Sequence, residues 1–201
     1  MKAVISNRIQ LQGDSRFLGL LEKELTYTLP PRMPQDPPMV IKTIRPLREG
    51  LVSIPVGRLD LVPEEYEIVD KRVQAPMVFP EFKFKLRASQ QVVHDAIDDN
   101  SIINAWVSWG KTFTGLAIAA KLGQKTLVVT HTTNLRNQWE KEVQKCFGIK
   151  AGRIGSGEFN TASAIVGGNM QRVYSRLDEI THLVGTVDLD AIVHAQSPTC
   201  T

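Results

Sequence analysis

The sequence predicts an α/β fold: a parallel sheet with helices on both faces, preceded by a small α+β domain. Three observations predict it. From about residue 82 onward, helical and strand patterns alternate, which is the rhythm of βα units. Before that point short strand patterns cluster around a proline-rich stretch and only one helical pattern appears. The stretch "AWVSWGKTFTG", residues 105–115, sets Gly-Lys-Thr between an apolar run and a helix start, the place of a phosphate-binding loop. With 201 residues, 42% of them hydrophobic, the chain can bury a core of this size.

In the first part, residues 1–81, "KAVISNRIQLQ" alternates like a strand and "RFLGLLEKELTYTL" reads as a short helix running into a strand. Prolines 30, 31, 34, 37 and 38 exclude helix in the next stretch. "MVIKTIRPL" and "LVSIPVGRLDLV" flank Arg48-Glu49-Gly50, a hairpin in which Gly50 supplies the turn. A second proline-bearing stretch, "VQAPMVFPE", reads as a linker, which places the domain boundary near residue 82.

In the second part, residues 82–201, "SQQVVHDAIDDN" is helical, "SIINAWV" a short strand, and "KTFTGLAIAAKLG" a small-residue helix ended by Gly123. "KTLVVTH" reads as a buried strand. "TNLRNQWEKEVQKCFG" is an amphipathic helix with Leu135, Trp139, Val143 and Phe147 at spacing four and Gly148 as its stop. "ASAIVGG", a helix around Met170 to Leu177, and the strand "THLVGTVDLD" complete the series.

Charge and cysteine content bound the function classes. With 24 basic against 21 acidic side chains, the net charge of +3 permits a nucleic-acid partner without requiring one. Cys146 and Cys200 form no CxxC pair, which argues against a zinc site or a disulfide framework and fits a reducing cytoplasm. No apolar run reaches membrane-spanning length, and the N-terminus lacks the apolar block of a signal peptide, so a soluble cytoplasmic protein with no membrane partner is expected. His94 and His182 stand alone and read as surface or packing groups.

Residues 105–112 satisfy the phosphate-loop pattern except that Ala105 stands at its first glycine. Backbone N–H groups, including that of Ser108, would turn around the phosphates, and Gly110 would let the chain approach without a Cβ. Lys111 would neutralise phosphate charge and the Thr112 hydroxyl would ligate Mg²⁺. The competing reading is an ordinary strand-to-helix turn with a surface lysine. Trp106 and Trp109 read as packing residues rather than base-stacking ones. A second strand should end in a carboxylate that steadies the metal, and Asp190 closes "VGTVDLD"; alone, it could equally cap a following helix. The water-orienting glutamate that normally follows is here Ala191.

The ordered set of motifs resembles the first RecA-like motor lobe of superfamily 2 DEAD/DEAH-type helicases, most closely those of tailed bacteriophages, over about residues 82–194. "FKLRASQQ" resembles the adenine-side segment, matched by Arg87 and Gln90, and "AWVSWGKT" resembles motif I, which in this family often opens with Ala. "VVTHTTNLRNQW" is similar to motif Ia, whose Thr132, Thr133 and Asn134 would touch the nucleic-acid backbone. "IGSG" and "GNMQ" resemble the next two backbone-contacting motifs, through Gly155 and Gln171.

The resemblance implies ATP and Mg as cofactors, Lys111 and Asp190 as the catalytic pair, and nucleic acid, DNA ahead of RNA, as partner. It implies the cytoplasm of a host cell as location and an accessory, nucleic-acid-binding or positioning role for residues 1–81. Motif II departs from the family pattern: Asp190-Ala191-Ile192-Val193 lacks the Glu and shifts the His to 194, and Asp188 puts a carboxylate in the strand. The expectation is therefore the N-terminal part of an ATP-dependent DNA helicase, without a second RecA-like lobe, that binds ATP and hydrolyses it weakly or not at all. The alternative is a non-catalytic nucleic-acid-binding or regulatory remnant. A small P-loop kinase would want an arginine-bearing lid and has no use for "THTTNLRNQW".

Overall fold

A computed structural model describes residues 1–31, 33 and 35–190, and for Leu189 and Asp190 the backbone alone. Residues 191–194 of the altered motif, the carboxylate of Asp190, Pro34 and Cys200 thus lie outside the described residues. The chain divides into two compact units, Met1–Arg72 and Val73–Thr201.

The first unit is α+β. Strands β1 (Lys2–Ile5), β2 (Arg8–Gln12), β5 (Arg45–Arg48), β6 (Leu51–Pro55) and β7 (Glu67–Asp70) form one sheet in the order β5-β6-β2-β1-β7, and β3 (Thr26–Leu29) pairs with β4 (Met39–Lys42) as a separate hairpin. "KAVISNRIQLQ" is two antiparallel strands rather than one, because the chain reverses at Ser6–Asn7, where the Ser6 N–H donates to the Arg8 carbonyl at 2.9 Å. Period-two alternation sends Ala3, Ile5, Ile9, Leu11, Val52 and Ile54 to one face. Helix α1 (Ser15–Glu24) covers that face with Leu21, and Leu25 follows it into the same core. Its start is fixed by Asp14, whose carboxylate accepts from the Phe17 N–H at 2.8 Å. Gly50 makes the β5–β6 turn at φ 69°.

The second unit is α/β. Its elements are α2 (Ala88–Ala96), α3 (Lys111–Leu122), β8 (Thr126–Thr130), α4 (Thr133–Phe147), β9 (Gly152–Gly155), β10 (Glu158–Asn160), β11 (Ile165–Asn169), α5 (Met170–Tyr174), α6 (Leu177–Ile180) and β12 (Thr186–Asp190). The sheet order is β10-β9-β11-β8-β12, parallel throughout except for the edge strand β10. β8 is buried along its whole length, as a strand covered on both faces must be. Val128 and Ile165 pack with Leu116 of α3 and Trp139, Val143 and Phe147 of α4 on one face. Leu127, Val129 and Val166 pack with Val173 of α5 and Ile180 of α6 on the other. Left-handed Gly123 and Gly148 end α3 and α4. Among the described residues no helix is long and apolar enough to cross a membrane.

The structure departs from the sequence reading in three places. Residues 101–107 are not a strand: they find no ladder partner among the described residues, and Ile102 and Val107 are 96% and 86% exposed, so their apolar side chains gain no burial. The proline-bearing stretch read as a linker is packed into the second compact unit, which begins at Val73. Met77 N–H donates to the Gly123 carbonyl, Lys125 N–H donates to the Ala75 carbonyl, and the Phe79 ring lies 5.8 Å from that of Phe147. The helix expected around Met170 to Leu177 breaks at Ser175–Arg176 into α5 and α6.

Cys146 sits on the buried stripe of α4, fully removed from solvent, and desolvation with help from Glu142 pushes its thiol up to about 11. The folded chain therefore holds this proton more tightly than the unfolded one. Stability is full below about pH 9 and falls as pH rises toward 11, because the unfolded thiol ionises first. Iodoacetamide at pH 8 followed by peptide mapping should leave Cys146 unmodified in the folded chain and label it in denaturant. Rapid labelling of the native chain would contradict the packing described.

Candidate functional site

The parallel register brings the sequence-predicted residues to one edge. Asn169 and Asp190 both pair in register with Thr130, so β8, β11 and β12 end together. Gly155 ends β9 one register step away, since Ile154 pairs with Gly168. The chain leaving this carboxyl edge carries Thr132 after β8, Thr133 and Asn134 in the first turn of α4, and Gln171 in the first turn of α5, and all four side chains are exposed. Ligands of open parallel sheets bind at this edge, because the helix N-termini converge there. α3 runs antiparallel to β8, ending at Gly123 just before that strand begins, so its N-terminus also reaches the carboxyl edge.

The segment read as a phosphate loop enters α3 through two left-handed residues, Ser108 at φ 65° and Gly110 at φ 95°. Gly110 needs to be glycine twice over: a Cβ there would lie 2.6 Å from Gln90 Nε2. The first helical bond runs from the Thr114 N–H to the Gly110 carbonyl at 3.0 Å. The amides of Lys111, Thr112 and Phe113 therefore have no acceptor within the helix, and no acidic side chain stands in its first turn.

The loop's carbonyls are drawn to cations and amides instead. Lys111 Nζ spans the loop and donates to Ala105 O at 2.9 Å and Trp106 O at 3.1 Å. The Trp109 carbonyl accepts from Gln90 Nε2 at 3.0 Å and from Arg87 Nη2. Gln90 is itself fixed, since it is 3% exposed and its Oε1 accepts from the Arg87 N–H at 2.9 Å. Lys121 of α3 holds α2 in place by donating to the carbonyls of His94, Asp95 and Ile97 at its C-terminus. Arg87, Gln90, Ala105, Ser108, Gly110, Lys111 and Thr112 thus belong to one assembly.

The two loop tryptophans differ. Trp109 is 3% exposed and anchors the loop, as a packing residue should; Trp106 is 72% exposed, so it is not part of this chain's core. Asp188, in mid-strand, brings Oδ2 to 2.8 Å from where a Cβ on Gly115 would lie, one turn into α3.

At the start of α4, Thr132 Oγ1 accepts from the Leu135 N–H at 3.2 Å as its N-cap. Asn169 Nδ2 donates to Thr133 Oγ1 at 3.0 Å and ties the ends of β11 and α4 together. Sequence reasoning missed Asn169, although its place at a strand end beside "MQ" was a signal. It also missed the β9–β10 hairpin, whose two-residue turn, Ser156–Gly157, has φ of 56° and 81° as a type I′ turn requires. Among the described residues no cluster of His, Cys, Asp or Glu could hold a metal unaided. Any Mg²⁺ here would depend on Thr112, Asp190 and the phosphates themselves.

The profile of the family described as "Type III restriction enzyme, res subunit" matches residues 83–194. The chain belongs to this family, within the superfamily 2 helicase type. It is 38% identical over 205 residues to the "Probable helicase D10" of Escherichia phage T5, covering all of this chain and 45% of that protein. It is 34% identical over 80 residues to the "Putative helicase 161L" of Invertebrate iridescent virus 6, covering 37% of this chain and 18% of that one. The chain thus spans less than half the length of either relative.

Two measurements check this geometry. Gly110→Ala should lower stability by roughly 1–2 kcal/mol, the cost of a side chain in a left-handed position, with the Gln90 contact adding to it; an unchanged denaturation midpoint would contradict the loop conformation. Iodide should quench mainly Trp106, since Trp109 and Trp139 are 3% and 4% exposed. Trp106→Phe should therefore remove most of the quenchable emission, and Trp109→Phe should leave it.

Proposed function

We propose that this chain is the nucleotide-binding lobe of an ATP-dependent DNA helicase, holding ATP with Mg²⁺ at the phosphate loop and a DNA backbone along the loops after β8, β9 and β11. The observation that carries the proposal is the start of α3. Amides without helical acceptors, the left-handed pair Ser108 and Gly110, and the Lys111 ammonium meet there, at the sheet's carboxyl edge. The absent Cβ at Gly110 lets Gln90 and Arg87 close on the loop, and the Lys111 ammonium spans it, so amides and a cation are held together as a polyphosphate needs.

Within that reading each residue has a task. The amides following Gly110 orient the phosphates and Lys111 neutralises them. Arg87 and Gln90, which hold the Trp109 carbonyl, stand on the side where the base would lie. Thr112 and Asp190 would hold Mg²⁺, which supplies charge neutralisation at the β- and γ-phosphates. Thr132, Thr133, Asn134, Gly155 and Gln171 face the strand. Ala191 offers no group to accept a proton from water, so hydrolysis is slow; the loss of a positioned base costs roughly 10²- to 10⁴-fold.

A fluorescent ATP analogue should bind the chain and fail to bind Lys111→Ala of unchanged stability. Equal binding by both would overturn the nucleotide reading. Ala191→Glu should raise DNA-stimulated phosphate release roughly 100-fold or more. DNA affinity should fall steeply with salt and vary little with sequence, since contacts to phosphates release counterions. Affinity indifferent to salt would count against the backbone contacts.

A further inference from the structure

Arg136 is out of place. It lies on the core-facing stripe of α4 with Trp139, Val143 and Cys146 and is 2% exposed, where an apolar side chain would be expected. The fold makes room for it. A Cβ on Gly155 would come within 3.2 Å of its Nη1, and one on Gly167 within 3.1 Å of its Cγ.

Its charge is nevertheless poorly answered. The carboxylate within reach, Glu140, is taken by Arg153, which binds it through both Nε at 2.8 Å and Nη2 at 2.5 Å. Glu140 Oε1 stands 3.4 Å from Arg136 Nε without hydrogen-bond geometry, so Nε and Nη1 have no acceptor. Only Nη2 is bonded, at long range, to Ser156 Oγ at 3.3 Å and Asn137 Oδ1 at 3.4 Å. Three of the five guanidinium N–H groups are therefore unsatisfied, which is costly for a buried cation unless an anion completes the set.

A cavity of about 590 Å³ lies beside it, between α4 and the β9–β10 hairpin. Its lining includes Arg136, Lys141, Lys150, Arg153, Glu140 and Ser156, four cations against one carboxylate. Lys141 and Lys150 are exposed and make no ion pair among the described residues. Nε and Nη1 are sealed from solvent as the side chain stands, so a tetrahedral oxyanion in the cavity would supply their acceptors once the guanidinium turns toward it, in the geometry that guanidinium groups favour.

We propose that this cavity is a phosphate-binding subsite in which Arg136 receives a phosphodiester of the bound strand, flanked by Lys150. The site continues the path away from Thr133 and Ser156, which line the same cavity, along the flank of α4. The proposal rests on the nucleic-acid reading above for the source of the phosphate, not for its chemistry.

The test uses the Lys111→Ala chain, so that the phosphate loop does not contribute. Arginine side chains are ¹⁵N-labelled, and the Arg136 Nε–H resonance is assigned from its loss in Arg136→Lys. A short single-stranded oligodeoxynucleotide should shift that resonance saturably, while its uncharged methylphosphonate analogue should not. Lys150→Ala, an exposed change that leaves the fold intact, should weaken the response about tenfold or more. A shift with inorganic phosphate but none with the oligonucleotide, in a chain that still binds DNA, would keep the subsite and overturn its phosphodiester source. The same shift in a chain that binds no DNA would keep the subsite and sink the nucleic-acid reading instead. No shift with either probe would overturn the subsite and leave Arg136 as a structural counter-ion to Glu140.

Discussion

The carbonyl of Trp109 is the point from which the second unit's chemistry hangs. Two side chains from α2 and its N-cap, Gln90 and Arg87, converge on that one oxygen, and the next residue, Gly110, turns left-handed to begin α3. Rotating that peptide would release the buried Gln90 amide from its only acceptor for Nε2 among the described residues and misdirect the first-turn amides of α3 together. An unsatisfied buried amide costs about 1–3 kcal/mol. The clamp thus fixes where the helix begins before any ligand arrives. Preorganisation of this kind matters because a loop that had to order itself on binding would spend part of its affinity doing so.

The other end of α3 is set with equal economy. Gly123 ends the helix in a left-handed turn, and the chain re-enters the sheet as β8 within a few residues. A helix of 12 residues is about 18 Å long and a strand of five about 16 Å. A single βα unit of these lengths must return its helix N-terminus to the carboxyl edge. α4 and α5 directly follow β8 and β11, so their N-termini start at the same edge, and Thr133, Gln171 and Lys111 share it for reasons of connectivity and parallel register rather than by individual attraction. Close packing between layers then fixes the spacing, with Gly115 leaving room for Asp188 and Trp139.

Much of this was legible in the sequence because the signals were local. Gly-Lys-Thr before a small-residue helix, Gly at both helix ends, and the wholly apolar centre of "KTLVVTH" each report a backbone conformation through the residue that adopts it. What was not legible depended on partners remote in sequence. "SIINAWV" has strand composition, but a strand exists only in a ladder, and residues 101–107 have none among the described residues. "VQAPMVFPE" has linker composition, yet Ala75, Met77 and Phe79 each find a specific partner in the second unit. Arg136 reads as a polar-face residue until the phase of α4 is known. Trp106 and Trp109 have identical propensities and opposite environments. Ser156 lacks the Asn or Gly that normally announces a type I′ turn, so the β9–β10 hairpin gave no warning.

Binding and turnover draw on separate parts of such a site, and the sequence separates them here. In the proposed function the amides of α3 and the Lys111 ammonium would act on charge that a nucleotide carries in its ground state as well as its transition state. Interactions of equal strength in both states tighten binding without accelerating the reaction. Acceleration needs a group whose contribution exists only as water attacks, and in the proposed arrangement that task belongs to the residue after Asp190. A methyl group at Ala191 cannot perform it. Asp190 pairs in register with Thr130 and ends its strand; in the proposed function its carboxylate would steady the metal. On the proposed reading, a chain built in this way would retain the part of the machinery that binds ATP and lack a side chain that helps to consume it. Its affinity for nucleotide would then be governed by the clamp on the Trp109 carbonyl rather than by hydrolysis.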